Sequence, residues 1–133
     1  MDDVIIAKVA TIERCILRIR EEAKFDWQND YTHQDALILN MERACQATID
    51  IAAHLVRVRK LGIPKMTREV FQQLAENGII STELSIELKN MVGFRNIAVH
   101  DYANLNLAVV KSIIDTKLVH LESFGQLLLK INK

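Results

Sequence analysis

The sequence predicts an all-α fold, an antiparallel bundle of four long helices and one short helix. Three observations carry that expectation. Half of the 133 residues are apolar, enough for one domain with a sizeable core. Only four glycines and one proline, Pro64, interrupt the chain, whereas turn-rich β architectures need many of both. The apolar residues also recur every three or four positions over long stretches, the period of a helix with one buried face.

The first helix is expected from Asp3 to about Phe25, with Val4, Ile5, Val9, Ile12, Ile16, Ile19 and Ala23 as its apolar stripe. Asp26 to Tyr31 is polar and breaks the pattern. Thr32 followed by Asp35 resembles a capping box, with aspartate in the reciprocal role. A second helix then runs from His33 to about Lys60 on Leu37, Met41, Ala44, Cys45, Ile51, Ala52 and Leu55. Leu61-Gly62-Ile63-Pro64 stops it. Thr67 is placed to cap a short third helix containing Val70, Phe71 and Leu74, and Gly78 to end it in a left-handed conformation. Ser81 caps a fourth helix through Leu84, Leu88, Met91 and Val92, with Arg95 to Val99 in its last turns. Asn104 or Asn106 opens a fifth, continued to the C-terminus by Val110, Ile113, Leu118, Leu121 and Leu128. No repeat, low-complexity tract or linker divides residues 1–133, so one domain is expected.

Composition limits what such a bundle does. Seventeen basic and seventeen acidic residues cancel. Non-specific nucleic-acid binding comes from excess positive charge, so any contact with RNA must be local. Cys15 and Cys45 fall inside helical patterns and read as buried thiols rather than a disulfide framework. Asp2 and Asp3 begin the chain without an apolar core behind them, unlike a signal peptide. No apolar run reaches the length of a membrane span. The expected location is the cytoplasm, with no membrane partner.

The chemistry concentrates in Phe94-Arg95-Asn96-Ile97-Ala98-Val99-His100-Asp101-Tyr102. Arginine offers a planar fork of donors to a phosphate. Histidine moves a proton near neutral pH. A phenol donates a hydrogen bond or accepts a covalent group. On an unbroken helix Arg95 and His100 point about 140° apart. Two arrangements overcome that: the helix ends near Val99 and the backbone swings His100 and Tyr102 back, or two chains face each other. The bland reading is a histidine at a helix C-terminus and an arginine paired with Glu87 or Asp101.

Other groups carry weaker signals. Asp50 and His54 share a helix face at a spacing that can hold a metal, but no second pair accompanies them, so a polar contact is expected. Arg57, Arg59, Lys60, Lys65 and Arg68 read first as a complement to the helix-two dipole and second as a landing site for phosphates. Trp27 and Tyr31 read as a cover for the bundle end rather than as base-stacking aromatics. His33 and His120 read as surface or helix-end residues.

The central segment resembles the Arg-polar-x(4–6)-His signature of the HEPN superfamily, written here as Arg95-Asn96-Ile97-Ala98-Val99-His100. With Asp101-Tyr102 it resembles the narrower Arg-x4-His-x-Tyr signature of HepT toxins. The likeness extends from Ala44 to Tyr102, through Ile49-Asp50-Ile51-Ala52-Ala53-His54, Leu61-Gly62-Ile63-Pro64, Phe71-Gln72-Gln73-Leu74-Ala75-Glu76 and Leu88 to Asn96. The final helix fits by pattern only. The resemblance implies a five-helix HEPN bundle, a homodimer with the motifs lining a shared cleft, and metal-independent endoribonuclease activity without a cofactor. It also implies an MNT-type minimal nucleotidyltransferase antitoxin that adds AMP to Tyr102.

The corresponding roles are His100 as general acid–base, Arg95 as phosphate clamp, Asn96 as its orienting neighbour, and Tyr102 as cleft-lining residue and acceptor of AMP. The RNA is a tRNA or an mRNA, and the expected product end is a 2′,3′-cyclic phosphate. The alternative is a non-catalytic helical module that binds a nucleotidyltransferase or a nucleotide. The chain does not fit the antitoxin itself, which needs a Gly-Ser motif and paired aspartates on strands.

Overall fold

A computed structural model describes residues 2–131. The described residues form helices and turns without a strand. They are α1 (Asp3–Glu22), α2 (Tyr31–Val58), α3 (Glu69–Glu76), α4 (Thr82–His100), a 3₁₀ turn (Tyr102–Asn104), α5 (Leu107–Ser112), a π-helical turn (Ile113–Lys117) and α6 (Leu118–Ile131). α5, the π turn and α6 follow one another directly, so they make the fifth helix of the expected bundle. The all-α reading of four long helices and one short helix holds.

Side-chain pairs record how the rods run. Asp2 meets His54 at 2.6 Å, Lys8 meets Asp50 at 3.2 Å, and Glu22 meets His33 at 2.5 Å. Ascending numbers on α1 pair with descending numbers on α2, so the two are antiparallel. Arg20–Glu122 at 2.6 Å and Glu13–Gln126 at 2.8 Å show the same for α1 and α6. α2 has 28 residues and is about 42 Å long. It packs against α1, α3, α4 and α6 and is the central helix. Ile12, Ile16, Ile19, Leu37, Met41, Ile51, Phe71, Leu74, Leu88, Leu118 and Phe124 are fully buried around it. Phe71 and Phe124 meet edge to face at 6.1 Å between ring centres, a favoured aromatic geometry.

Several boundaries differ from those expected. α1 stops at Glu22 rather than near Phe25. Phe25 turns outward and stacks on the His33 ring at 4.0 Å, while Trp27 folds in and covers the bundle end. α2 opens two residues early because Asp30, not Thr32, is its cap, accepting from the Thr32 amide at 2.9 Å. A carboxylate at a helix N-terminus also gains from the dipole, which a threonine hydroxyl does not. α2 ends at Val58, and the left-handed residue behind it is Lys60 (φ 55°), with the Leu61 amide bonding back to Val56 at 2.9 Å. Thr67 does not cap α3, which starts at Glu69 with no side-chain cap. The Glu69 carboxylate accepts from the Lys65 amide at 2.9 Å instead.

Ser81 caps α4 by accepting from Leu84 at 3.0 Å, as expected. Gly78 is left-handed (φ 72°), also as expected. Of the two candidates for the last helix, Asn106 is the cap. The π turn has no counterpart in the sequence pattern. Lys117 on it reaches Glu87 of α4 at 2.9 Å. Among the described residues no helix is long and apolar enough to cross a membrane.

Candidate functional site

Phe94 and Ala98 are buried and fasten the end of α4 to the bundle. Arg95, between them, is half-buried. Its Nη1 donates to Asn96 Oδ1 at 2.9 Å, and its Nε is buried without a hydrogen bond among the described residues. The guanidinium therefore keeps donors in reserve. It also acts on Cys45 of α2, which places its charge at the α2–α4 seam. Burial pushes the Cys45 thiol up to about 12, against the pull of Arg95. Cys15 and Cys45 are both buried free thiols. Arg95 pairs with neither Glu87 nor Asp101. Glu87 is held by Lys117 and His120, and Asp101 accepts from Asn104 at 2.9 Å.

α4 ends one residue past Val99, too late to swing His100 back. It continues through His100, and the Asp101 amide still bonds to the Ile97 carbonyl at 2.8 Å. Arg95 and His100 therefore diverge by about 140° around one helix. The backbone swing that would join them within one chain does not occur at His100. It comes one residue later, at Asp101 (φ −147°, ψ 47°). His100 is exposed and has no hydrogen-bond or ion-pair partner among the described residues.

Beyond Asp101 the 3₁₀ turn is closed by Asn104 N–H to the Asp101 carbonyl and Leu105 N–H to the Tyr102 carbonyl, each at 3.1 Å. It lays Tyr102 across to α2, where the phenol donates to Asp35 Oδ1. Burial and then the Asp35 carboxylate, as hydrogen-bond acceptor and as charge, hold the phenol well above its ordinary value. Tyr102 keeps 39% of its surface in solvent.

An open cleft of about 530 Å³ lies beside it. Gln28, Asn29, Tyr31, Gln34 and Ile38 form one wall, and Tyr102, Ala103, Leu105 and Leu107 the other. Tyr31, at 78% exposure, is a cleft aromatic rather than a cover. That corrects the reading of Trp27 and Tyr31 as a pair.

The structure thus joins Arg95 to Asn96 and Tyr102 to Asp35, and leaves His100 apart. Asp35 was legible only as half of a capping box. Its link to Tyr102 spans 67 positions and left no local signal. Asp50 and His54 do not face a common ligand. Asp50 takes Lys8 and Gln46, and His54 takes Asp2 and Arg57. Among the described residues no cluster of three potential metal ligands forms. Of the basic cluster, Arg57 and Arg59 sit at the end of α2, but Arg68 does not: its guanidinium lies over Gly93 of α4, where an added Cβ would come within 2.8 Å of it.

The chain as a whole has counterparts among known proteins. Residues 10–128 match the family described as Ribonuclease HepT-like. The chain is 49% identical over 128 residues to the mRNA nuclease HepT of Shewanella oneidensis, covering 95% of this chain and 94% of that one. The solved structure of the tri-AMPylated Shewanella oneidensis HEPN toxin in complex with MNT antitoxin is similar at a TM-score of 0.93 and 46% identity, over 98% of this chain and 99% of that one. A crystal structure of a toxin–antitoxin with AMP-PNP is similar at a TM-score of 0.93 and 45% identity, over 97% and 99%.

Proposed function

The chain belongs to the HepT-like ribonuclease family, and from that premise we propose that it is the toxin of a HEPN/MNT toxin–antitoxin pair, a metal-independent endoribonuclease. The observation that carries the reading is the complete Arg95-Asn96-x3-His100-x-Tyr102 set on the last turns of α4 and the 3₁₀ turn that follows. His100 is the general acid–base, unpartnered and exposed, as a group that must reach both the 2′-hydroxyl and the leaving 5′-oxygen needs to be. Arg95 clamps the phosphate with the donors it does not spend on Asn96 and stabilises the charge that grows on the phosphorane. Attack by the 2′-oxygen leaves a 2′,3′-cyclic phosphate on one fragment and a 5′-hydroxyl on the other.

The working unit in this reading is a homodimer. α4 is unbroken between Arg95 and His100, so one chain does not converge them, and a second copy supplies the missing half. Ile97 and Val99, two of the three apolar residues between them, are 49% and 40% exposed, as suits a helix that buries a second face on association.

Tyr102 is the acceptor for AMP from an MNT-type nucleotidyltransferase. The added phosphate and base fill the approach to the motif and compete for Arg95. Intact-mass analysis of protein coexpressed with the transferase is expected to show adducts at Tyr102. An unmodified tyrosine in a silenced complex would point to steric blocking alone.

The deciding experiment is cleavage of RNA in excess EDTA by wild type and His100→Ala, with end-group analysis. Cyclic-phosphate ends, absent with the variant, are expected. One observation favours a second reading, a helical module that binds a nucleotide without cutting RNA: the cleft contains Tyr102 but neither Arg95 nor His100. Protein unmodified at Tyr102 that leaves every RNA intact would select it.

A further inference from the structure

We propose that Asp35 is the general base for adenylylation of Tyr102: its carboxylate takes the phenolic proton as the oxygen attacks the α-phosphorus of ATP held by a nucleotidyltransferase. The inference rests on the reading of Tyr102 as the acceptor and adds a residue of this chain to that transfer.

The geometry is specific. Asp35 lies in the second turn of α2, on a helix anchored by Leu37, Ile38 and Met41 in the core. It does not serve the helix end, because Asp30 already caps it. Its Oδ1 accepts from the hydroxyl of Tyr102 across 67 positions of sequence. Among the described residues it is the one charged group that acts on that phenol. Both side chains reach solvent, so a partner can bring a nucleotide to the oxygen without unfolding the turn.

The chemistry needs such a group. A neutral phenol is a poor nucleophile until its proton leaves. Tyrosinate is scarce here, since burial and Asp35 both raise the phenol's affinity for its proton. A carboxylate already accepting the phenol's hydrogen bond can take the proton during attack, which removes the need for prior ionisation. In the step the bond from Tyr102 Oη to the α-phosphorus forms. The bond from that phosphorus to the oxygen bridging to the β-phosphate breaks. Pyrophosphate leaves with the electron pair, and Asp35 holds the proton until water removes it.

The product cannot keep that contact. The phosphodiester on Oη is anionic and has no proton to donate, so it is repelled by the Asp35 carboxylate. The modified side chain gives up its hydrogen bond to Asp35, and the contact that promoted the transfer disfavours its return.

The test is single-turnover adenylyl transfer from ATP by an MNT-type nucleotidyltransferase at saturating concentration, read by intact-mass spectrometry. Wild type, Asp35→Asn and Asp35→Glu are compared from about pH 7 to about pH 9, with thermal melting to confirm folding. Asp35→Asn is expected to lose about 100-fold or more at pH 7. Its rate should rise about tenfold per pH unit, as hydroxide replaces the missing base, while wild type stays nearly flat. Asp35→Glu should recover part of the rate. An Asp35→Asn rate within a few-fold of wild type, or a loss confined to the transferase concentration needed for half-maximal rate, would overturn the proposal. Wild type that takes no adenylyl group at Tyr102 would overturn the acceptor reading first, and this inference with it.

Discussion

Arg95 meets Asn96 at its Nη1, keeps a buried Nε unbonded, and lies close enough to Cys45 to act on its thiol. Those three facts make the guanidinium a positioned fork rather than a loose surface charge. Arg95→Lys keeps the charge and loses the fork, so we expect it to cut RNA at least about 100-fold more slowly than wild type. RNA cleavage under single-turnover conditions checks this, and near-normal cleavage would mean that charge alone suffices. Cys45 offers a separate check on the seam. A thiol raised to about 12 holds almost no thiolate at pH 8. Alkylation at that pH should leave Cys45 untouched in folded protein and modify it quickly after denaturation. Rapid labelling of the native state would show that the α2–α4 seam opens.

Two helix ends with the same geometry differ in residue, and that difference is measurable. α2 and α3 both finish with a left-handed residue followed by an amide bonding back: Leu61 to Val56 and Ile79 to Leu74, each at 2.9 Å. At α3 the left-handed residue is Gly78 (φ 72°), at α2 it is Lys60 (φ 55°). Gly78→Ala should cost about 1–2 kcal/mol in denaturant melts. Lys60→Gly should raise stability by about 0.5–1 kcal/mol, the strain relieved less the extra chain entropy. If both changes were neutral, the two ends would have to be frayed.

The α1–α2 junction has a pH signature. The His33 hydrogen bond holds Glu22 below its ordinary 4.5, with Arg18 helping. A depressed carboxylate contributes its full stability above its unfolded value and loses it as pH falls through the folded one. The melting temperature should therefore drop as pH falls below about 4.5, and less steeply in Glu22→Gln. Equal slopes would place the acid sensitivity elsewhere, for example at Glu87, which Lys117 holds down in the same sense.

At these elements much was readable from local order. Ser81, Gly78 and Asn106 work as expected, because a cap needs only the residue and the amides within three positions of it. Reading failed where two legal caps competed, as with Asp30 and Thr32. It failed again at the π turn, where the apolar spacing of Ile113, Leu118 and Leu121 is equally compatible with an unbroken α-helix.

For the molecule as a whole, the issue is whether one chain or two make the site. If each site combines Arg95 of one copy with His100 of another, mixing two inactive variants should restore cleavage. Arg95→Ala and His100→Ala, unfolded and refolded together, form mixed dimers with one intact composite site. Roughly one quarter of wild-type activity per chain is expected for random pairing about a two-fold axis. A mixture as inactive as its parts, with mixed dimers shown by native mass spectrometry, would put each site within one chain.

The all-α class, the antiparallel bundle, the short third helix and the motif Arg95-Asn96-x3-His100-x-Tyr102 were all set by the sequence alone. Periodicity and capping act over a few residues, so they can be read without knowing what lies across the fold. Tertiary structure decided the rest. Whether α4 stops before His100 depends on packing of Phe94 and Ala98 against the bundle, which carries the helix through His100. Whether Tyr102 meets a carboxylate depends on a 3₁₀ turn falling beside Asp35 of a helix 67 positions earlier. A hydrogen bond between distant residues leaves no period or spacing in the chain, because its geometry is fixed by where two independently formed elements come to rest.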